Sequence, residues 1–391
     1  MKKTLVAAAA LASVSAFAQV TLTGNLDFAG ANLSGTQTGA KGTTITTTLG
    51  VSSTSVINLD AIEDIGGGTK VQVHYGLDPR SLVNDSYAVT NNQVSATVGA
   101  TTSPVLNTAT GLGRDEAYIA FDSASVGKLM LGAPNALGLD THGISSALGT
   151  GVGSGYGSSV MTNAIVKTRY DRSVRFNSAA MNGFSIQAVY APGADNAGGV
   201  TSYTAPGSGV VLLQQQIPNN RKATEVGLSY ANGPLNARFT NIAQDAQTYA
   251  TGWYAANGDG TQTARNLIAT KANLLGANYN LGATTLYFGV ANGDLMTSTT
   301  TATKVKQVRY AAKYDAGVFA VTGQLTTQRQ TSAAGAVTDA KVTGLRADYP
   351  LSKTSKVYAG YEQWNTGTVA AATDTTSGDR KITSIGLQKS F

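Results

Sequence analysis

The sequence predicts an all-β fold, a 16-stranded antiparallel transmembrane β-barrel whose third extracellular loop folds into the lumen. Three observations support this prediction: a secretory leader, segments in which apolar and polar residues alternate, and connections that are alternately short and long. Alternation with a period of two is typical of a strand with one apolar and one polar face. In a large barrel the apolar face contacts lipid and the polar face lines a channel.

Residues 1–18 have the organisation of a secretory signal peptide. A basic start is followed by an apolar stretch of small residues, and Ala16–Ala18 reads A-F-A, a cleavage site of the A-x-A type. As a helix, the apolar stretch is too short to cross the roughly 30 Å of a bilayer core. We therefore expect cleavage before Gln19 and a mature chain, residues 19–391, that forms a single barrel domain.

The composition agrees with a barrel in the outer membrane. Only 13% of the residues are charged, whereas soluble domains have about 25%, and charge is costly on a surface that faces lipid. The chain has no cysteine, so an exported fold would depend on closed backbone hydrogen bonding rather than on disulfides. The net charge is +6 without clusters of basic and aromatic residues, which argues against nucleic acid as a partner.

The strand pattern favours a barrel over a soluble β-sandwich. Apolar positions share one parity in four clear segments: Leu22, Leu26 and Phe28; Val71, Val73 and Tyr75; Val226, Leu228 and Tyr230; Val308, Tyr310, Ala312 and Tyr314. Long connections are predicted near residues 30–49, 79–112, 133–166, 192–220, 244–270, 293–303, 329–340 and 365–379. With seven short turns between them, these fifteen connections join sixteen strands. A sandwich has no reason to keep its long loops at one end, whereas outer-membrane barrels do so.

The third long connection, about residues 133–166, is predicted to narrow the channel. It contains more apolar residues than an exposed loop needs, together with many glycines. Apolar residues require burial and glycines allow sharp bends, so folding into the lumen accounts for both. A mobile loop at the cell surface is the alternative.

Parity also selects the charged residues that should control passage. The wall candidates are Arg114, Arg169, Arg175, Arg221, Arg238, Lys70 and Glu116, and the loop candidates are Asp140 and His142. An excess of bases at a neck favours anions. In the predicted strand 168–177, Tyr170, Val174 and Phe176 have the lipid parity. Arg172 shares that parity, which requires an interface position, a bulge or a partner subunit.

Four other residues are assigned roles away from the channel neck. Lys222, Lys304 and Lys306 are expected to bind lipopolysaccharide phosphates at the outer rim, and the terminal Phe391 is expected to be the membrane assembly signal.

With two histidines, no cysteine and no G-x-S-x-G motif or metal-ligand spacing, the chain has no recognisable catalytic set and is predicted not to be an enzyme. No cofactor is expected. Asp78, Asp85 and Asp115 are candidates for calcium but lack a recognisable ligand spacing.

In the order and spacing of its motifs the chain resembles the trimeric general porins of Gram-negative bacteria, especially those of β-proteobacteria. The similar segments are Val20–Gly24 at the mature amino terminus, Glu63–Gly68 as first periplasmic turn, Arg114–Ile119, Gly127–Gly132 before the constriction loop, Arg169–Phe176 after it, Tyr349–Lys353 and the terminal Gly386–Phe391. The resemblance implies sixteen strands, a homotrimer in outer-membrane lipid, an inward third loop and passive diffusion of small hydrophilic solutes.

The family's charged residues are only partly present. Its arginine cluster carries over only to Arg114 and Arg175. Val56, Asp60 and Ala133 stand where the family has basic residues, and the acidic motif of its loop is reduced to Asp140. We therefore expect a general diffusion channel with a mild anion preference. The alternatives are a substrate-specific channel, for which Tyr118, Tyr358 and Trp364 have inward parity, and a non-conducting adhesin or structural barrel.

Overall fold

The computed structural model describes residues 19–35, 46–51, 54–79, 113–154, 166, 168–192, 200–204, 211–216, 222–244, 270–296, 302–366 and 380–391. The predicted leader, residues 1–18, lies outside them. The strands are β1 (Gln19–Gly35), β2 (Thr46–Val51), β3 (Val56–Gly66), β4 (Thr69–Asp78), β5 (Gly113–Ser123), β6 (Gly127–Ala133), β7 (Ser173–Ser178), β8 (Phe184–Pro192), β9 (Val200–Thr204), β10 (Val211–Gln216), β11 (Lys222–Asn232), β12 (Leu235–Gln244), β13 (Thr270–Leu281), β14 (Thr284–Met296), β15 (Ala302–Asp315), β16 (Ala320–Thr331), β17 (Val337–Pro350), β18 (Ser355–Thr366) and β19 (Arg380–Ser390). A single short helix, α1 (Leu137–Ser145), occurs among these residues.

Antiparallel pairing closes the barrel. The main sheet contains 17 strands, but β2 and β3 both pair with β1 and form two parts of one wall strand that is interrupted near Thr54. The wall therefore has sixteen strands, and the pairing of β1 with β19 closes it. A separate hairpin, β9–β10, lies in the fourth long connection. The predicted strand number and antiparallel arrangement are confirmed.

Apolar side chains cover the outside of the barrel, and polar side chains lie inside. On β11, Val226 is 48% exposed whereas its neighbour Glu225 is fully buried. On β15, Tyr310 is exposed and Arg309 is buried. A soluble protein would place these residues the other way round, so the outer surface suits contact with hydrocarbon. Among the described residues, no helix is both long and apolar enough to cross a bilayer.

Two of the predicted long connections are shorter than expected. Strand β14 continues to Met296 and β15 begins at Ala302, while β16 continues to Thr331 and β17 begins at Val337. The segments 293–303 and 329–340 therefore lie largely in strands. The outward positions there are polar or charged, as at Lys304, so the alternation disappears although the backbone stays extended.

The closing seam is fastened by two aromatic side chains that lie over glycines. Phe391 donates its N–H to the Gly24 carbonyl over 3.0 Å and accepts from the Gly24 N–H over 2.9 Å, and a Cβ on Gly24 would lie 2.6 Å from the Phe391 ring. Tyr358 of β18 crosses Gly386 of β19 in the same way and donates its hydroxyl to Asp27 Oδ1 of β1 over 2.7 Å. Three successive strands are thereby tied at the closure, while the role of Phe391 in assembly stays a prediction.

The interruption between β2 and β3 is tied to the same carboxylate. Thr54 Oγ1 donates to Asp27 Oδ2 over 2.6 Å, and Ser55 Oγ accepts the Asp27 N–H over 2.9 Å. The Ser55 hydroxyl thus takes the place of a ladder partner for the Asp27 backbone, as buried backbone groups require, while Thr54 binds the Asp27 carboxylate.

Replacing Tyr358 with phenylalanine should destabilise the barrel. The change leaves buried Asp27 without one of its donors, at a cost of about 1–3 kcal/mol, so the urea midpoint of unfolding in detergent should fall. The matched control is Tyr310→Phe, because Tyr310 faces outward and is 55% exposed. Equal midpoints for the two variants would contradict the proposed importance of the seam bond.

Candidate channel constriction

The described first part of the third long connection, residues 134–154, runs along the inside of the barrel. After Ala133 at the end of β6, α1 packs against the inner faces of β8 and β11–β15. Its sequence contains Gly138 and Gly143, each of which lowers helix propensity by about 1 kcal/mol. Leu137 and Thr141 are almost completely buried against the wall, so packing rather than propensity stabilises the helix. The predicted inward course of the loop is confirmed for residues 134–154.

Three wall glutamates each accept a backbone N–H from the loop. Glu116 of β5 binds the N–H of Asn135 over 2.7 Å, Glu225 of β11 binds that of Gly138 over 2.9 Å, and Glu362 of β18 binds that of Gly153 over 2.6 Å. Hydrogen bonds to an ionised acceptor are among the stronger ones in proteins. The loop is therefore fastened near its start, at the amino-terminal turn of α1 and at Gly153.

Glu225 was not among the predicted site residues. Its second oxygen accepts the Tyr170 hydroxyl over 2.7 Å, and it is fully buried. A carboxylate at the start of a helix is also favoured by the helix dipole. Parity places Glu225 inside, but its contact with a loop segment 87 residues away in sequence has no local signal.

Two arginines share the only acidic residue of the loop. Arg175 of β7 contacts Asp140 over 2.6 Å and Arg238 of β12 contacts the same oxygen over 2.7 Å. Arg175 also donates to the Asn135 carbonyl over 2.8 Å and to Asn177 Oδ1 over 3.0 Å. With two guanidinium groups and one carboxylate, the cluster has a net charge of about +1 at neutral pH.

Arg169 lies at the other end of the loop rather than in a strand. It pairs with Asp115 and forms a bridge to Asn135, so it joins the outgoing and returning chain. The predicted strand 168–177 is wrong in its first part, because β7 begins only at Ser173 and Arg172 takes a left-handed φ of 54° in a turn. The turn resets the parity, and Tyr170 is consequently buried inside instead of facing lipid.

His142 does not line the channel, in contrast to the prediction. Its side chain is buried between α1 and the wall, with Nε2 3.2 Å from the Gly149 carbonyl oxygen. Burial lowers the pKa of His142 well below its usual range, the charge of Arg309 lowers it further, and the hydrogen bond with Gly149 opposes this in part. The imidazole is therefore held neutral beneath the loop.

The remaining candidates are distributed along the wall. Lys70 is an exposed residue of β4, opposite Asp64 and Asp122 in the strand register and next to a short turn, away from Asp140. Arg114 belongs to β5, but its side chain is outside the described part of the structure, and Arg221 lies outside the described residues.

A polar network also lines β3 to β6. Asp60 accepts from Gln72 Nε2 over 2.7 Å and lies 2.8 Å from His74 Nδ1. Lys128 donates to Gln72 Oε1 over 2.6 Å, and the His74 ring stacks on Tyr118 with centroids 4.9 Å apart. Asp60, which stands where the resemblance leads one to expect lysine, thus has several polar partners.

Within the described residues, no group of three or more His, Cys, Asp or Glu side chains is placed to hold a metal ion. Of the calcium candidates, Asp115 pairs with Arg169 and Asp85 lies outside the described residues.

The arrangement of wall and loop charges around the lumen can filter solutes by size and charge. A closed barrel with an apolar exterior, a charged interior and an inward loop defines an outer-membrane channel protein.

Comparison with known proteins gives the family. The model described as Gram-negative porin matches residues 4–368, and the chain belongs to this family. Similar solved structures include the anion-selective porin from Comamonas acidovorans, with 18% identity, 96% of this chain and 100% of that chain covered and a TM-score of 0.65. OmpT of Vibrio cholerae in its trimer form has 14% identity, coverage of 96% and 100% and a TM-score of 0.66. OmpF of Salmonella typhi in complex with daunomycin has 11% identity, coverage of 96% and 98% and a TM-score of 0.60.

A search of curated protein sequences found no match. The family and the fold identify an integral outer-membrane channel for solute diffusion and not an enzyme. Porins generally need no cofactor.

Acidification should weaken the packing of the loop through His142. The folded protein holds this imidazole neutral while the unfolded chain protonates it near pH 6.5. Stability should therefore be retained above that pH and lost below it, by up to about 1.4 kcal/mol per pH unit. The test compares urea midpoints at pH 7.5 and pH 5 for the wild type and for His142→Gln, which should respond less to acid.

The other histidine provides the control for this experiment. The chain contains only two histidines, and His74 belongs to the polar network of β3 to β6. His74→Gln should therefore keep most of the acid sensitivity. A His142→Gln variant as acid-sensitive as the wild type would contradict the assignment.

Proposed function

We propose that the protein is a general diffusion porin, a water-filled channel for small hydrophilic solutes and ions with a mild preference for anions. The observation that carries the preference is the cluster of Arg175 and Arg238 around Asp140, which leaves one positive charge at the loop. Arg114, Arg221 and Lys70 are proposed to add to it, since all three have lumenal parity. A net positive field in a narrow passage raises the local concentration of anions.

The aromatic residues favour general diffusion over a substrate-specific channel. Tyr118 is stacked with His74, Tyr358 lies beneath Arg346 and is bound to Asp27, and Trp364 donates to Glu362. The ring faces of Tyr118 and Tyr358 are thus engaged by neighbours, and the three residues, on β5 and β18, do not form a continuous row on which a ligand would stack.

The proposed assembly is a homotrimer in the outer membrane, and the proposed leader is residues 1–18. The trimer is supported by the family and by the similar fold of OmpT, which is described in a trimer form. The leader is supported by its composition and by the A-x-A site at Ala16–Ala18.

The proposed lipid partner is lipopolysaccharide, bound by outward lysines near the long loops. Lys222, Lys304 and Lys306 are exposed and have the outward parity. Lys306 stands opposite Arg329 in the register, one row above Val308 and Thr327. Cations immediately beyond an apolar surface are placed to meet the phosphates of outer-leaflet lipid.

The anion preference can be tested by removing one charge from the cluster. Arg238→Gln leaves the Arg175–Asp140 pair in place and should lower the ratio of anion to cation permeability roughly two-fold. The measurement is the reversal potential in a salt gradient across a planar bilayer. Lys341→Gln makes the same charge change on the outer surface and should have little effect. An unchanged or more anion-selective Arg238→Gln channel would contradict the proposal.

Lipopolysaccharide binding can be tested on purified protein. Replacing Lys222, Lys304 and Lys306 together with glutamine should reduce the co-purifying lipid phosphate per barrel, because three positive charges at this surface are removed. The control replaces Lys70, Lys353 and Lys389, which lie near the short turns, in the same way. Equal lipid phosphate in both triple variants would argue against the assigned surface.

A further inference from the structure

The inner wall has glycines where the loop backbone lies against it. A Cβ on Gly344 of β17 would overlap the carbonyl oxygen of Gly153, and one on Gly276 of β13 would overlap that of Thr141. On β14, a Cβ at Gly289 would lie 2.8 Å from Ser145 Cβ. Cβ atoms essentially never approach other atoms so closely, so these three positions exclude any larger residue while the loop keeps its place.

Two further wall glycines lie under the loop beside these three, and we call the five positions the glycine track. A Cβ on Gly227 of β11 would lie 3.3 Å from Leu137 Cδ1, and one on Gly360 of β18 would lie 3.5 Å from Val152 Cγ1. These are side-chain contacts, and the second is at ordinary van der Waals distance. The loop therefore crosses glycines on five strands. The tightest contacts are those of Thr141, Ser145 and Gly153.

Backbone conformation does not explain these glycines. None of the five is among the glycines with positive φ, so an alanine could adopt the same φ and ψ. Glycine inside a strand is unfavourable and marks a close approach of another chain segment. The missing side chain is therefore the property that the loop requires.

Polar contacts fix the loop in this track. Asn278 donates to the Ile144 carbonyl over 3.0 Å beside Gly276. Gln324 donates to the Ser154 carbonyl over 3.1 Å and accepts from Ser146 over 3.0 Å. Each wall strand is held on both sides by ladder bonds, so an added methyl group would displace the loop rather than the wall.

We propose that Gly276, Gly289 and Gly344 set the depth at which the loop lies and thereby determine the open cross-section of the channel. They are specificity-determining positions for solute size. The inference rests on the channel function but not on the anion preference, because a displaced loop narrows the passage without changing its charge.

The first experiment places a methyl group beneath the loop. Gly276→Ala and Gly344→Ala should each lower single-channel conductance in planar bilayers roughly two-fold, because close-packed segments do not absorb added volume. Uptake of neutral sugars into liposomes should fall more steeply with sugar size. The reversal potential of Gly344→Ala should stay at the wild-type value, because its methyl group meets Gly153 and not the helical turn that carries Asp140.

The matched control is Gly323→Ala on β16. Gly323 also lies within a strand, but it faces outward and a Cβ there meets nothing within 4 Å. This variant should conduct like the wild type. Wild-type conductance and sugar uptake in folded Gly276→Ala and Gly344→Ala would overturn the inference, whether or not the reversal potential changes.

A rescue experiment removes the dependence on how well single variants fold. Gly289→Ala should lower conductance because its methyl group meets Ser145. Adding Ser145→Gly removes the opposing Cβ and should restore conductance toward that of Ser145→Gly alone. Absence of rescue in the folded double variant would overturn the inference.

Discussion

Closure of the hydrogen-bond ladder between β1 and β19 is the constraint on which the other features of the structure depend. Hydrocarbon offers no partner for backbone N–H and C=O groups, so a spanning sheet must have no free edge. Closure in turn gives each strand one face toward lipid and one toward the lumen. The exposed Val226 beside the buried Glu225 is a direct consequence, because the polar face has only the enclosed space available.

The inward loop solves a related problem inside the barrel. Its backbone between the regular elements carries N–H groups that need acceptors, and the wall supplies them through Glu116, Glu225 and Glu362. These anchors explain why a segment with so many glycines holds a defined course. Ordered packing of this kind requires polar groups on both surfaces to match in position.

Much of this architecture follows from the local sequence pattern. The features that the pattern does not predict are mostly contacts between residues far apart in the sequence. Period-two alternation predicts the strands and which side faces lipid. It fails near Tyr170, where the turn at Arg172 changes the parity. The charge of Arg172 at a lipid-facing position indicated an irregularity, but it did not distinguish a turn from an interface position or a contact with a partner subunit. Asp140 was predicted as the acid of the loop, but its two arginine partners come from β7 and β12. His142 was misplaced because the sequence predicts that the loop turns inward but does not indicate which of its side chains face the wall and which face the channel.

The charges of the lumen divide into two groups with different tasks. Glu225 and Glu362 are buried beneath the loop and bound to its backbone, so their charge is largely compensated by N–H dipoles and is removed from the water path. Arg238 keeps 18% of its side chain exposed and shares Asp140 with Arg175. The proposed positive excess where solutes pass depends on this difference between shielded acids and a water-exposed base, because the chain as a whole has only a small net charge. Arg175 takes part in both tasks, because it also donates to the Asn135 carbonyl of the loop over 2.8 Å. Glu225 and Glu362 can therefore vary without altering the arginine cluster, whereas a change at Arg175 alters both fastening and charge.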